Sequence, residues 1–295
     1  MIIPMNTIPL NPDPAAQRLL IVHTTGYRYE TPVTASYNEA RMTPLNTSRQ
    51  ALLDEMVDVS PVTWTHRYTD YWGSQVTAFD VLVPHTEMSV VSSSTVEVFH
   101  LDEGDVPGVS WDDLGRDPIS DEFREFLVQT PLTEPPDEVV ELARGAAAGL
   151  SPDAAARAVC EALIEPMTYA GGFTSVRTPA SEVWAARRGV CQDFAHLGLG
   201  ALRALGIPAR YVSGYLHPEP DAGLGDTVEA ESHAWLEWWA GGWSAYDPTH
   251  TGTVSTDHVL VARGRDYADV PPLKGVYAGS PASTLFVNVE ITRLR

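Results

Sequence analysis

Cys191, His233 and Asp247 supply, in chain order, a thiol, an imidazole and a carboxylate, the groups that thiol-dependent acyl transfer needs. Cys191 follows a Gly189-Val190 turn and opens the run CQDFAHLGLGALRALG. In that run Phe194, Leu197, Ala201, Leu202 and Leu205 share one helical face, and Gly206 and Pro208 end it. A thiol at a helix start meets unpaired backbone N–H groups and the positive end of the helix dipole. Both favour the thiolate, and the same N–H groups can stabilise the oxyanion of a carbonyl that the sulfur attacks. Asp193, in the same first turn, suits the dipole, although its charge opposes thiolate formation.

The base is read as His233, within ESHAWLEWW (231–239). If residues 240–242 form the following loop, Trp239 pairs with Trp243 and Trp235 lies opposite Asp247. His233 shares a face with Trp235, so Asp247 becomes its diagonal neighbour, at a Cβ separation of roughly 7 Å or less. The carboxylate can then hold one imidazole nitrogen and aim the other at a sulfur. A one-residue change of register would turn Asp247 to the wrong face, so the assignment depends on that loop.

These residues need elements to position them. From residue 18 to about 100 the chain reads as strands: RLLIVHTTGYRYE, ASYNEARMTPL, VTWTHRYTDYW, SQVTAFDVLV and EMSVVSSSTVEVF. An antiparallel sandwich or barrel is expected. Residues 101–118 are rich in Asp, Gly and Pro and read as a linker. Helical periodicity follows over 119–129, 136–150 and 151–167, the last opened by Ser151 as N-cap and Pro152 at the first helical position. Thr178 and Pro179 start another short helix. Strands return as ARYVSGYL, SHAWLEWW, WSAYDPT, HVLVARG and TLFVNVEITRL, an α+β arrangement. The expected division is a β-rich unit over 1–105 and a second unit over 106–295 that includes the C-terminal strands.

The chain carries 39 Asp plus Glu against 19 Lys plus Arg, a formal net charge of −20. That balance opposes nucleic acid and anionic membranes as partners. With 44% apolar and 20% charged residues the composition is that of a globular protein. No segment has the roughly 20 uninterrupted apolar residues of a spanning helix, and residues 1–20 lack a signal-peptide pattern, so a cytoplasmic setting is expected.

GVCQDFA (189–195), SHAW (232–235) and YDPT (246–249) resemble, in order and spacing, the three-motif core of the bacterial transglutaminase-like superfamily. GRDYADVPPLKGVYAG (264–279) and the β-rich N-terminal region are similar to members that carry a dedicated N-terminal β domain. The resemblance implies a papain-like, transglutaminase-like site with Cys191 as nucleophile, His233 as proton shuttle and Asp247 as orienter. It also implies an acyl-thioester passed either to water, as in a peptidase or amidase, or to an amine acceptor, as in a transglutaminase. Animal transglutaminases build their oxyanion hole with a tryptophan well upstream of the cysteine, whereas the nearby candidate here, Trp184, is only seven residues away on a predicted helix. The oxyanion role therefore falls to the Cys191 N–H, with Tyr169 or Gln192 as side-chain donor and Trp235 as a further groove residue.

Hydrolysis is the expected outcome, because water at about 55 M outcompetes amines unless a groove excludes it. No cofactor is expected. No DxDxDG-type loop supports calcium dependence, and His196, His217 and His250 match no closed zinc spacing, so no metal is expected either. Cys160, between Val159 and Leu163, reads as a small buried hydrophobe. HPEPDAGLGDTVEAE (217–231) reads as a surface loop or a lid. Its Asp221, Asp226, Glu229 and Glu231 would favour a cationic peptide or an amine. The contrasting possibility is a catalytically silent peptide-binding module on the same fold. The N-terminal unit is expected to supply substrate or partner recognition.

Overall fold

The computed structural model describes residues 16–100, 108–219, 221–250, 252, 254–279 and 281–295. Six strands come first: β1 (Gln17–Val33), β2 (Ala35–Ala40), β3 (Gln50–Ser60), β4 (Trp64–Thr69), β5 (Gln75–Val81) and β6 (His85–Val98). In β1 the period of two is visible in burial, with Leu19, Ile21, His23 and Thr25 turned inward. The first part of the expected linker, 101–107, lies outside the described residues. Its remainder is not featureless: it folds into α1 (Trp111–Leu114), capped by Ser110, and the start of α2 (Asp117–Glu122).

Then come α3 (Asp137–Ala147), α4 (Pro152–Ile164), β7 (Thr168–Tyr169), α5 (Ala180–Ala186), β8 (Arg188–Gly189) and α6 (Cys191–Ala204). α4 buries Ala155, Ala156, Val159, Cys160 and Leu163, the stripe expected of a helix packed on one side. The chain continues through β9 (Ala209–Leu216), β10 (Thr227–Ala230), β11 (Ser232–Trp239), β12 (Trp243–Tyr246), β13 (His258–Gly264), β14 (Leu273–Ala278) and β15 (Ser283–Arg293).

The β-rich unit is a sandwich. One sheet has the order β10-β15-β1-β6-β3 and the other β14-β2-β5-β4. Ala40, Met42, Val59, Phe79, Val81, Met88 and Val90, drawn from both sheets and the turn after β2, fill the space between them. The C-terminal strands differ from the expected division at residue 105. β15 pairs with β1 from Leu19↔Arg293 to Tyr29↔Ser283, and β14 pairs with β2 from Leu273↔Ala40 to Ala278↔Ala35. Both therefore complete the N-terminal sandwich, where β1 and β2 would otherwise each have a bare edge.

The second unit is an antiparallel sheet of order β12-β11-β9-β13, with α6 and α4 against one face. Ala234, Leu236 and Trp238 of β11 point into the helices, and Gly198 of α6 leaves room for Leu236, which would lie 2.5 Å from an added Cβ. The alternate residues His233, Trp235 and Glu237 take the opposite face. Papain-like mixing of helices and an antiparallel sheet is thus the α+β class expected.

Candidate active site

Cys191 is the first residue of α6, in the position where N–H groups lack carbonyl partners within the helix. The turn before it is held by Asp193, whose Oδ2 accepts from the Val190 N–H at 2.8 Å and from Thr174 Oγ1 at 2.6 Å. Burial pushes the Asp193 carboxyl up, against the lowering effect of those two bonds. Gly189 permits this arrangement, since a Cβ there would sit 2.7 Å from Oδ2. The carboxylate is thus committed to the helix cap, which places it behind the turn.

The β11–β12 hairpin has the register that orients Asp247: Trp239 pairs with Trp243 and Leu236 with Tyr246. Asp247, one step further, is fully buried and its Oδ2 lies 2.7 Å from His233 Nε2. Its Oδ1 accepts from both the N–H and the hydroxyl of Thr249, each at 2.8 Å. With Nε2 engaged, Nδ1 is the nitrogen left to serve Cys191, which lines the same cavity. Burial of the imidazole opposes its protonation, but the bonds to Asp247 and Cys191 and their charges outweigh it and raise the pKa to about 9. Burial works against ionised Asp247 too, yet the bonds from His233 and His258 hold its carboxyl well below the usual range.

His258, at the start of β13, was not singled out by its sequence context. Its Nδ1 accepts the Ser255 N–H at 3.1 Å, which leaves the hydrogen on Nε2 to be donated to Asp247 Oδ2 at 3.0 Å. Burial lowers its pKa despite the carboxylate, so it is a neutral donor. His250 adds a further contact, Nδ1 to Asp247 Oδ2 at 3.1 Å. His233, Asp247 and His258 together have the donor types to hold a metal ion. Their short contacts are, however, those of hydrogen bonds with assignable donors. The other histidines considered for zinc are apart from this group: His196 Nε2 accepts the Tyr267 N–H, and His217 Nδ1 accepts the Glu219 N–H.

A cavity of about 300 Å³ opens beside Cys191 and His233. Tyr169, Gln192, Tyr211 and Ser213 line it from the second unit, and His23, Thr25, Leu285 and Val287 from the sandwich. Tyr169 is held at its edge by the parallel β7–β8 pair, beside Cys191. Burial and the neighbouring Cys191 and Glu231 raise its pKa to about 12, so it keeps its proton. Gln192 is nearly buried, with its side chain at the cavity wall. His23 comes from β1, bonds Tyr215 through Nδ1 at 2.9 Å, and has its pKa lowered to about 4 by burial.

Two expectations change. Trp235 is not in the wall of this cavity: it packs with Val212 and Leu260, 5.4 Å from the His258 ring, in the space left by Gly214. Sharing a strand face with His233 put it behind the imidazole instead of beside the sulfur. Nor is 217–231 a free loop, because Thr227–Ala230 forms β10 against β15 and Gly225 N–H bonds Arg293 O at 2.8 Å. Glu229 and Glu231 do border a second lobe of about 400 Å³ that shares Tyr169, Cys191 and His233 with the first. Trp184 is buried in the core beneath the Arg187 guanidinium.

Residues 19–97 match the bacterial transglutaminase-like N-terminal region, and residues 140–248 match the transglutaminase-like superfamily. An uncharacterized protein of Mycobacterium leprae is 47% identical over 277 residues, covering 94% of this chain and 99% of that one. One of Mycobacterium tuberculosis is 33% identical over 304 residues, covering 93% and 92%. In fold the chain is similar to the crystal structure of a candidate cysteine protease from Cytophaga hutchinsonii, with a TM-score of 0.75, 24% identity and coverage of 95% and 91%. With a relative this similar over its whole length and both family regions matched in order, the chain belongs to the bacterial transglutaminase-like superfamily.

Proposed function

We propose that this protein cleaves a peptide or side-chain amide by acyl transfer through Cys191. The observation that carries the proposal is the 2.7 Å bond from buried Asp247 to His233 at the wall of a cavity that also holds Cys191. The Cys191 sulfur attacks the amide carbon while the imidazolium of His233 holds the proton on Nδ1. As the tetrahedral intermediate collapses, that proton passes to the leaving nitrogen, the C–N bond breaks and a thioester remains. His233 then takes a proton from water, which attacks the thioester and releases the acid and the sulfur. The Cys191 N–H is the oxyanion donor. The Tyr169 hydroxyl and the Gln192 amide, both at the cavity wall, are the side-chain donors beside it.

Hydrolysis is the proposed fate of the thioester, since the first lobe is open and water is abundant. The second lobe favours a second reading. Glu229 and Glu231 beside it would attract an ammonium group, so a primary amine could compete with water there. Mass spectrometry of an unstructured peptide pool, incubated with and without a primary amine, separates the two. Cleavage or deamidation that vanishes in Cys191→Ala supports hydrolysis, and amine incorporation would support transamidation. The absence of any Cys191-dependent product would contradict both.

A further inference from the structure

β10 pairs with β15 only as far as Ala230↔Val289, whereas β1 pairs with β15 all the way to Ser283. From Ser283 to Asn288 the outer edge of β15 therefore carries no strand among the described residues. Alternate residues of an antiparallel strand turn N–H and C=O to each side, so this edge offers a short row of unpaired backbone groups. Edges of this kind are ordinarily blunted with charge or proline, yet the segment here reads Ser-Thr-Leu-Phe-Val-Asn. Leu285 and Val287 lie on the face that buries Val289 and Ile291 further along, but are 52% and 51% exposed. Both border the cavity that holds Cys191 and His233.

We propose that this edge is a substrate subsite. An extended peptide continues the line of β10 along Ser283–Asn288, paired through its backbone, with alternate side chains against Leu285 and Val287. Ala230 is followed directly by Glu231-Ser232-His233, so an occupant lying just beyond β10 abuts the imidazole and brings an amide to Cys191. Backbone pairing makes the subsite tolerant of sequence but selective for chain that can be pulled straight, such as an unstructured tail or loop. The acidic side chains lining the two lobes are Glu229 and Glu231, which suits a neutral or basic peptide. A second copy of a chain of net charge −20 is disfavoured at the same edge by like charge.

This inference rests on Cys191 acting as the nucleophile, so its test pairs a small electrophile with an extended one on the intact chain. Iodoacetamide, acetyl-alanine chloromethyl ketone and acetyl-Ala-Lys-Val-Ala chloromethyl ketone each alkylate the sulfur with loss of halide. The long reagent is expected to react at least about tenfold more efficiently than the short one, from added backbone pairing. Methylating its backbone amides should remove the gain on the unaltered protein. Leu285→Ser and Val287→Ser, at half-exposed positions, should lower the ratio of long-reagent to short-reagent rate measured within each variant. Equal rates for the long, short and methylated reagents would overturn the subsite. So would concentration-dependent dimerisation abolished by Val287→Lys, which would assign the edge to a second copy. Slow iodoacetamide labelling at pH 6 would instead overturn the nucleophile, and the subsite with it.

Discussion

Asp247 has more hydrogen-bond partners than the orientation of one imidazole requires: two groups of Thr249, and one nitrogen each of His233, His258 and His250. Each donor fixes the carboxylate and so the direction of the His233 ring. Asp247→Asn keeps the shape but can offer its NH₂ to Nε2 and impose the wrong tautomer. Steady-state turnover should fall by about a hundredfold or more. His258 is a positioning residue, and His258→Ala should lower kcat by about tenfold with KM unchanged. Loss of its donated bond leaves a more basic carboxylate, so the alkaline limb of the rate profile should move upward. In the wild type that limb lies where His233 loses the proton it must give to the leaving nitrogen, and turnover should fall as pH rises through about 9. The same shift has a stability consequence. His233 is raised above its unfolded value, so its contribution is fully present below about pH 6.5 and lost as pH rises through about 9. Urea titrations should show the wild type's advantage over His233→Gln shrinking across that window. Cys191, His233 and Asp247 were legible because motif order and one hairpin register suffice to bring them together. His258 was not, because its place depends on β13 pairing with β9, a neighbour relation that no local pattern reveals.

At the scale of elements, the turn into α6 is what presents the sulfur. Gly189→Ala would set a Cβ 2.7 Å from the Asp193 carboxylate and force it off the Val190 N–H. The expected cost is about 1–3 kcal/mol in thermal unfolding, with slower Cys191 alkylation as the helix start loosens. Strong periodicity made α4 and α6 readable from sequence, and the three-residue loop fixed the β11–β12 register. β3, β10 and β14 were not readable for distinct reasons. β3 shifts register between Leu52 and Asp54 and places the acids Asp54 and Glu55 on its two opposite faces, which hides its alternation, and β10 is four residues long within a Gly/Pro/acid-rich run. β14, LKGVYA, is largely exposed on an outer strand of its sheet and so lacks a buried face to mark it.

At the scale of the molecule, the two family regions share one core. Leu19, Ile21, Val96, Val98, Val289 and Ile291 of the sandwich join the same buried cluster as α3, α4, α6 and β11. Thermal unfolding should therefore be a single cooperative transition, coincident by near-UV and far-UV circular dichroism. Truncation after residue 282 removes β15, uncovers β1 and strips two residues from the cavity wall. It should abolish cooperative unfolding in calorimetry, and retention of a sharp transition would show that the sandwich does not need its returning strand. Composition and strand spacing predict a β-rich unit ahead of an α+β unit. The return of the last strand is hidden because a strand sequence specifies a face and not a partner.

The central claim is the coupled sulfur and imidazole, and the most direct measurement is the pH dependence of iodoacetamide labelling at Cys191, located by mass spectrometry, in wild type and His233→Ala. Cys160 serves as internal control, because burial pushes its thiol up to about 12. Rapid labelling of Cys191 at pH 6 that is lost in His233→Ala, with Cys160 unlabelled in both, is the expected result. Labelling that rises only near pH 8.5, as for an ordinary thiol, and is indifferent to His233 would contradict it and favour a peptide-binding module on this fold.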